Sequence, residues 1–260
     1  MSTWSKIIAW AAAGCLSALI TGSAAIAADI TVVSTAGPMP EMLGALVPIF
    51  EQASGHKVTI KFQGAPQTLN QLKEGASIDL VIAGDDVIGD LVKDGKIAAG
   101  SSSKIMLSRV GVAVRAGAPK PDIGSADALK DALIAAKSVA YSQDASGRHF
   151  VSAISRLKLA NTLGPKSIVV PGVGATLAAG KAEIGVQQVA ELLPVPGIDI
   201  VGPLPGDLQK IIVYVAGVPA NTSVPEAVKA LVTFLTSEAA AKVLKQKGMD
   251  PPMIPLWNLF

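Results

Sequence analysis

The stretch VAYSQDASGRHF, residues 139–150, decides how this chain is read. An apolar strand over residues 138–141 runs straight into Ser142, Asp144, Ser146 and Gly147, after which Phe150, Ile154 and Leu157 recur at helical spacing. A strand therefore delivers its carboxyl end into the N-terminus of a helix. The first N–H groups of a helix lack intrahelical partners and carry partial positive charge, so such a turn suits an anion. Arg148 and His149 stand beside it with charge and proton chemistry. The same residues also read as an ordinary Ser/Asp cap with a solvated Arg.

Outward from this unit the chain keeps alternating strand and helix. Residues 30–34 form a β-branched strand broken by Thr35-Ala36-Gly37-Pro38, and Met42, Leu43, Leu46, Val47 and Phe50 mark a helix ending near Gly55. A second strand over 57–62 is followed by Gly64-Ala65-Pro66 and a helix around 68–74. A third over 79–83 ends in Gly84-Asp85-Asp86 and another helix. Three such units in a row predict a parallel sheet with right-handed crossovers, whose ligands sit beyond the carboxyl ends of the strands. The long strand 105–115, closed by Gly117-Ala118-Pro119, reads as a crossing into a second set of elements. These are helix 125–136, the focal unit, strand 167–170, helix 175–179, strand 183–186, helix 188–193 and strand 198–201. The strand 209–216 is the return, and helices 225–235 and 237–247 have only the first set to cover. The expected fold class is α/β, with two lobes, each a mainly parallel sheet flanked by helices, joined by two hinge strands. The expected boundaries are 29–110 and 210–250 for lobe 1, 111–209 for lobe 2, and a tail over 251–260.

Composition narrows the function classes. The 260 residues are 50% hydrophobic and 16% charged, which supplies a large core and excludes disorder. The net charge of +2 gives no footprint for nucleic acid or an anionic membrane. At the N-terminus, Lys6 precedes the apolar run 7–20 and the small-x-small pattern Ala25-Ile26-Ala27, which reads as a cleaved signal peptide over 1–28 and predicts a periplasmic mature protein. Cys15 offers a lipoprotein reading, but apolar residues follow it where a polar tether belongs. The mature chain then holds no cysteine, which removes disulfides, thiol catalysis and Cys-based metal sites.

Other motifs carry less. Gly172-Val173-Gly174 opens a helix after a strand, yet lacks the third glycine and the distal acid of a dinucleotide fingerprint. It reads as a helix N-terminus with its backbone open to a ligand, and no cofactor is expected. Gln187 and Gln188 end a strand, where paired amides either donate to an anion or cap the next helix. Ser101-Ser102-Ser103-Lys104 has the form of Ser-x-x-Lys without its partner motifs and reads as a polar linker. The histidines His56 and His149 have no metal-ligand spacing; His56, in a turn, is expected at the surface.

The run ITVVSTAGPMPEMLGALVPIFEQASGHKVTIKFQGAPQTLNQLKEGASIDLVIA, residues 30–83, together with the order of elements, resembles the molybdate-type periplasmic solute-binding proteins of ABC importers. The resemblance implies a type II two-lobe fold with its ligand in the cleft. The first binding hydroxyl of that family falls at Ser34 or Thr35, the second at Ala65, which has none, and the binding tyrosine near Gln187 and Gln188. Molybdate and tungstate are therefore not expected. The segments GVAVRAGAPKPDIGSADALK, SVAYSQDASG, IGVQQVAEL and VPGIDIVGPLP are similar to the branch that includes the periplasmic aconitate isomerases, which shift a proton across an allyl system.

Two functions follow from this resemblance. A monomeric receptor for an inner-membrane ABC importer would close on a small organic anion, a di- or tricarboxylate. Its donors would come from Ser34, Thr35, Gly37, Ala65, Ser142, Ser146, Gly147, Arg148, Val173, Gly174, Gln187 and Gln188, many through backbone N–H. An isomerase in the same cleft would need a base, for which His149 and Asp144 are the candidates, and Arg148 to stabilise developing charge. The positions of Arg148 and His149 look different in the aconitate isomerases.

Overall fold

The computed structural model describes residues 27–252. In chain order, β1 (Asp29–Ser34), α1 (Met39–Ser54), β2 (Lys57–Phe62), α2 (Ala65–Lys73), β3 (Leu80–Gly84) and α3 (Asp85–Lys93) build the first lobe. β1 pairs in parallel with β2 on one side and β3 on the other, as the strand-helix alternation predicts. The apolar stripe of α1 is buried against this sheet through Met39, Met42, Leu43, Leu46 and Phe50.

β4 (Ile97–Arg115) then leaves this lobe and enters the second. That lobe contains α4 (Ala126–Ala135), β5 (Val139–Tyr141), α5 (Ala145–Arg156), α6 (Ala160–Leu163), β6 (Ser167–Val169), α7 (Val173–Ala178), β7 (Ile184–Gln188), α8 (Val189–Leu192) and β8 (Ile198–Pro203). β5 pairs in parallel with β6 and β7. The chain returns through β9 (Ile211–Pro219), and α9 (Pro225–Leu235), α10 (Glu238–Gln246) and the short β10 (Met249–Asp250) finish the first lobe. Leu231, Leu235 and Leu244 of α9 and α10 join Leu46 and Phe50 of α1 in one core.

One strand carries both sheets. β4 pairs antiparallel with β9 from Ser102 to Arg109, and from Val110 onward it pairs antiparallel with β7 and β8 instead. β9 in turn pairs with β3, Gly84 opposite Tyr214. The two lobes therefore share β4, and β9 brings the returning chain back into the first sheet.

Three readings change. Ser101-Ser102-Ser103-Lys104 is strand, not linker: Ser102 and Ser103 pair with Gly217 and Ala216, and the Ser101 hydroxyl donates to the carbonyls of Ala98 (2.8 Å) and Val218 (3.0 Å). β7 continues through Gln187 and Gln188 because Gly111 and Val110 of β4 pair with them. His56 is 7% exposed; its Nδ1 accepts from the Ala28 N–H (3.1 Å) and its ring stacks on Phe50. α6 and β10, of four and two residues, are too short for a periodic signal. Residues 1–26 of the predicted export segment, Cys15 among them, lie outside the described residues, as does the tail beyond Pro252. Among the described residues no helix is long and apolar enough to cross a membrane.

Asp79 joins the start of the first sheet to the segment that leads into α9. Only 4% exposed, its Oδ2 accepts from the Thr31 N–H (2.9 Å) and its Oδ1 from the Thr222 hydroxyl (2.8 Å). Asp79→Ala leaves a buried backbone donor unpaired and should cost about 1–3 kcal/mol. Urea denaturation should show a lower midpoint at an unchanged slope; an unmoved midpoint would contradict this role.

Candidate functional site

The turn between β5 and α5 has the strand-to-helix geometry that its sequence predicts, and its donors converge on Asp144. The Asp144 Oδ1 accepts from the Ser142 hydroxyl (2.6 Å), the Ser146 hydroxyl (2.7 Å), the Ser146 N–H (3.0 Å) and the Gly147 N–H (3.4 Å). The chain's own carboxylate thus occupies the α5 N-terminus, where its charge meets the positive end of the helix. Gly147 is required for this closeness: a Cβ there would lie 1.7 Å from the Ser142 carbonyl oxygen.

A second carboxyl lies at the end of β7. Glu191, half-buried on α8, accepts at Oε1 from Gln187 Nε2 (3.0 Å) and at Oε2 from Gln188 Nε2 (2.9 Å). Each amide is itself anchored: Gln187 Nε2 also donates to the Pro171 carbonyl (3.3 Å), and Gln188 Oε1 accepts from the Tyr214 hydroxyl (3.1 Å). Burial pushes the Glu191 carboxyl up to about 8, with the nearby Asp144 charge adding to it against the two amide hydrogen bonds. Burial likewise pushes the Tyr214 phenol above its ordinary value.

The first lobe reaches this cluster through Gly37. A Cβ on Gly37 would sit 3.4 Å from the Tyr214 hydroxyl, 3.5 Å from Gln188 Nε2 and 4.0 Å from Glu191 Oε1, and its φ of +67° also favours glycine. Two residues later α1 begins with no side chain capping its N-terminus. The space beside Gly37 is therefore lined by a phenol, an amide and a carboxyl.

The residues singled out from sequence separate into groups. Gly37, Gln187 and Gln188 meet around Glu191, while Ser142, Ser146 and Gly147 meet around Asp144. Ser34 ends β1, where its hydroxyl donates to the Thr35 carbonyl (3.1 Å) and the Thr35 N–H donates to the Ile82 carbonyl. Ala65 begins α2, and Val173 and Gly174 begin α7, each at the carboxyl end of a strand. Arg148 is exposed, with Nη1 donating to the Gln143 carbonyl (3.3 Å). His149 Nε2 is 2.7 Å from the Leu208 carbonyl, so it carries the ring proton and donates it there. Sequence reasoning passed over Glu191 and Tyr214. A signal existed for each: Glu191 is the one charge in residues 186–196, and Tyr214 is one of two tyrosines, set in an apolar strand.

Known proteins match this chain across both lobes. The family of bacterial extracellular solute-binding proteins matches residues 30–250. An aconitate isomerase from a Pseudomonas species is 37% identical over 230 residues, covering 85% of this chain and 87% of that protein. A substrate-binding domain from Clostridium difficile has a TM-score of 0.75 at 18% identity, covering 86% of this chain and 99% of that one. The periplasmic molybdate-binding protein of Azotobacter vinelandii has a TM-score of 0.66 at 19% identity, covering 86% of this chain and all of that one. At these identities the two structures speak for the fold, which is the type II two-lobe arrangement.

The raised Glu191 carboxyl makes stability depend on pH in a defined direction. The unfolded chain releases this proton near pH 4.5 and the folded chain near 8, so the stabilisation is complete below 4.5 and is lost as pH rises to 8. Against the Glu191→Gln variant, the wild-type protein should lose up to about 1.4 kcal/mol per pH unit through that window. Urea denaturation at a series of pH values reads this directly, and parallel curves for the two proteins would contradict it.

Proposed function

This chain belongs to the bacterial extracellular solute-binding proteins, and from that premise we propose that it closes its two lobes on a small organic anion, a di- or tricarboxylate. The observation that carries this reading is the cluster beside Gly37 of the first lobe, where the Gln187 and Gln188 amides of the second lobe, the latter held by Tyr214 of β9, donate to a carboxyl that can be neutral. A receptor for a tetrahedral oxyanion is best served by donors on every side. Here Glu191 stands among the donors, and as a neutral acid it donates a hydrogen bond to a ligand carboxylate. Asp144 instead caps α5, accepting at Oδ1 from Ser146 and Gly147.

In this reading the N-terminal apolar segment directs export, the mature protein works as a monomer in the periplasm, and its partner is an inner-membrane ABC importer. Ligand bound across the cleft favours the closed state, since it touches both lobes only there.

A second reading is favoured by the same carboxyl and by the 37% identity to an aconitate isomerase. A half-buried acid held by two amides, with its proton leaving near neutral pH, suits proton transfer to and from a bound anion. The cleft would then convert its ligand as well as hold it.

Thermal denaturation of the mature protein with trans-aconitate, citrate, molybdate and sulfate tests the ligand class. A carboxylate at about 100 times its Kd should stabilise the fold by about 2.7 kcal/mol, whereas molybdate and sulfate should leave it unmoved. Stabilisation by an oxyanion alone would contradict the reading.

A further inference from the structure

We propose that Glu191 is the catalytic base of this cleft, and that the Gln187 and Gln188 amides are the positioning residues that aim it. This rests on the second, isomerase reading above and names the group that reading lacks. Of the two candidates drawn from sequence, Asp144 takes four donors on Oδ1 at the α5 cap, and His149 donates its Nε2–H to the Leu208 carbonyl. Glu191 is differently placed. Its two oxygens each accept one amide hydrogen bond, and a carboxylate has about four lone-pair directions, so both oxygens keep one for a ligand proton.

The mounting is rigid for a base on a short helix. Gln187 and Gln188 end β7, which is hydrogen-bonded to β4 and β5, and Gln188 is tied in turn to Tyr214 of β9. Facing these oxygens from the first lobe is Gly37, whose missing side chain leaves space within 4.0 Å of Oε1. The titratable groups that bear on Glu191 are Asp144 at the α5 cap, whose charge favours the protonated acid, and the buried Tyr214 phenol. The Lys247–Glu41 pair and the Arg109–Asp250 pair flank other residues of α8 and its end, Ala190 and Leu193 for the first and Val189 for the second.

The step balances without a cofactor. The Glu191 carboxylate takes a proton from the methylene carbon α to a ligand carboxylate; that C–H bond breaks, and its electron pair spreads over the allyl system and its carboxylate. The new Glu191 acid, whose proton exchanges with solvent between the two steps, then protonates the far end of the allyl system, where a C–H bond forms and the double bond has moved.

The test is proton NMR of trans-aconitate in D2O with the purified mature protein, alongside thermal shift on the same samples. The wild-type protein should place deuterium in the methylene group and form cis-aconitate, faster as pH rises toward 8. Glu191→Gln should still be stabilised by trans-aconitate yet lose exchange by about 100-fold or more, and Glu191→Asp should recover some of it. Undiminished exchange by Glu191→Gln beside an active wild type overturns Glu191 as the base while leaving the isomerase reading intact. A wild-type protein that neither exchanges the methylene protons nor forms cis-aconitate, whether or not it binds, overturns the reading and the base together.

Discussion

The antiparallel ladder between β4 and β9 is the constraint on which everything else hangs. β4 serves the first sheet up to Arg109 and the second from Val110, so one strand fixes the direction of both lobes. Such a strand must be apolar on both faces where helices cover it, and the burial of Ile105, Met106, Leu107, Val110, Val112, Ala113 and Val114 meets that demand. Motion between lobes then reduces to bending of two strands, the hinge geometry of proteins that close on small ligands.

Because β7 pairs with β4 just beyond the crossing, its last residues, Gln187 and Gln188, come to lie beside Tyr214 of β9. The Glu191 cluster is therefore anchored on β7 and on β9, both of which are hydrogen-bonded to β4. A pair of carboxyl groups sits in this region in contrasting surroundings. Asp144 takes four donors on Oδ1 at a helix start, whereas Glu191 has one amide donor on each oxygen and substantial burial. It is burial that raises the Glu191 carboxyl.

Much of the fold was legible because its elements carry strong local signals. The parallel β1, β2 and β3 follow from β-branched runs ended by glycine and proline, and α9 begins at Pro225, where the residue pattern places it. The polar start of β4 was hidden because Ser101, Ser102 and Ser103 are strand by virtue of pairing with β9, a contact more than a hundred residues away. The site was half legible. The serine-rich turn announces a helix start, but whether its donors face a ligand or the chain's own Asp144 depends on side-chain packing that spacing does not encode. Glu191 escaped notice because a lone acid on an apolar four-residue helix has no motif, and its significance arises only when the fold brings Tyr214 and Gly37 beside it.

The most direct measurement is a crystal structure of the mature protein grown with trans-aconitate. The account predicts lobes closed on the ligand, with one carboxylate within hydrogen-bond distance of Glu191 and the Gln188–Tyr214 pair. A ligand bound instead in the roughly 600 Å3 cavity lined by Arg115, Pro119 and Glu183 on the second lobe, with the cleft empty, would contradict it.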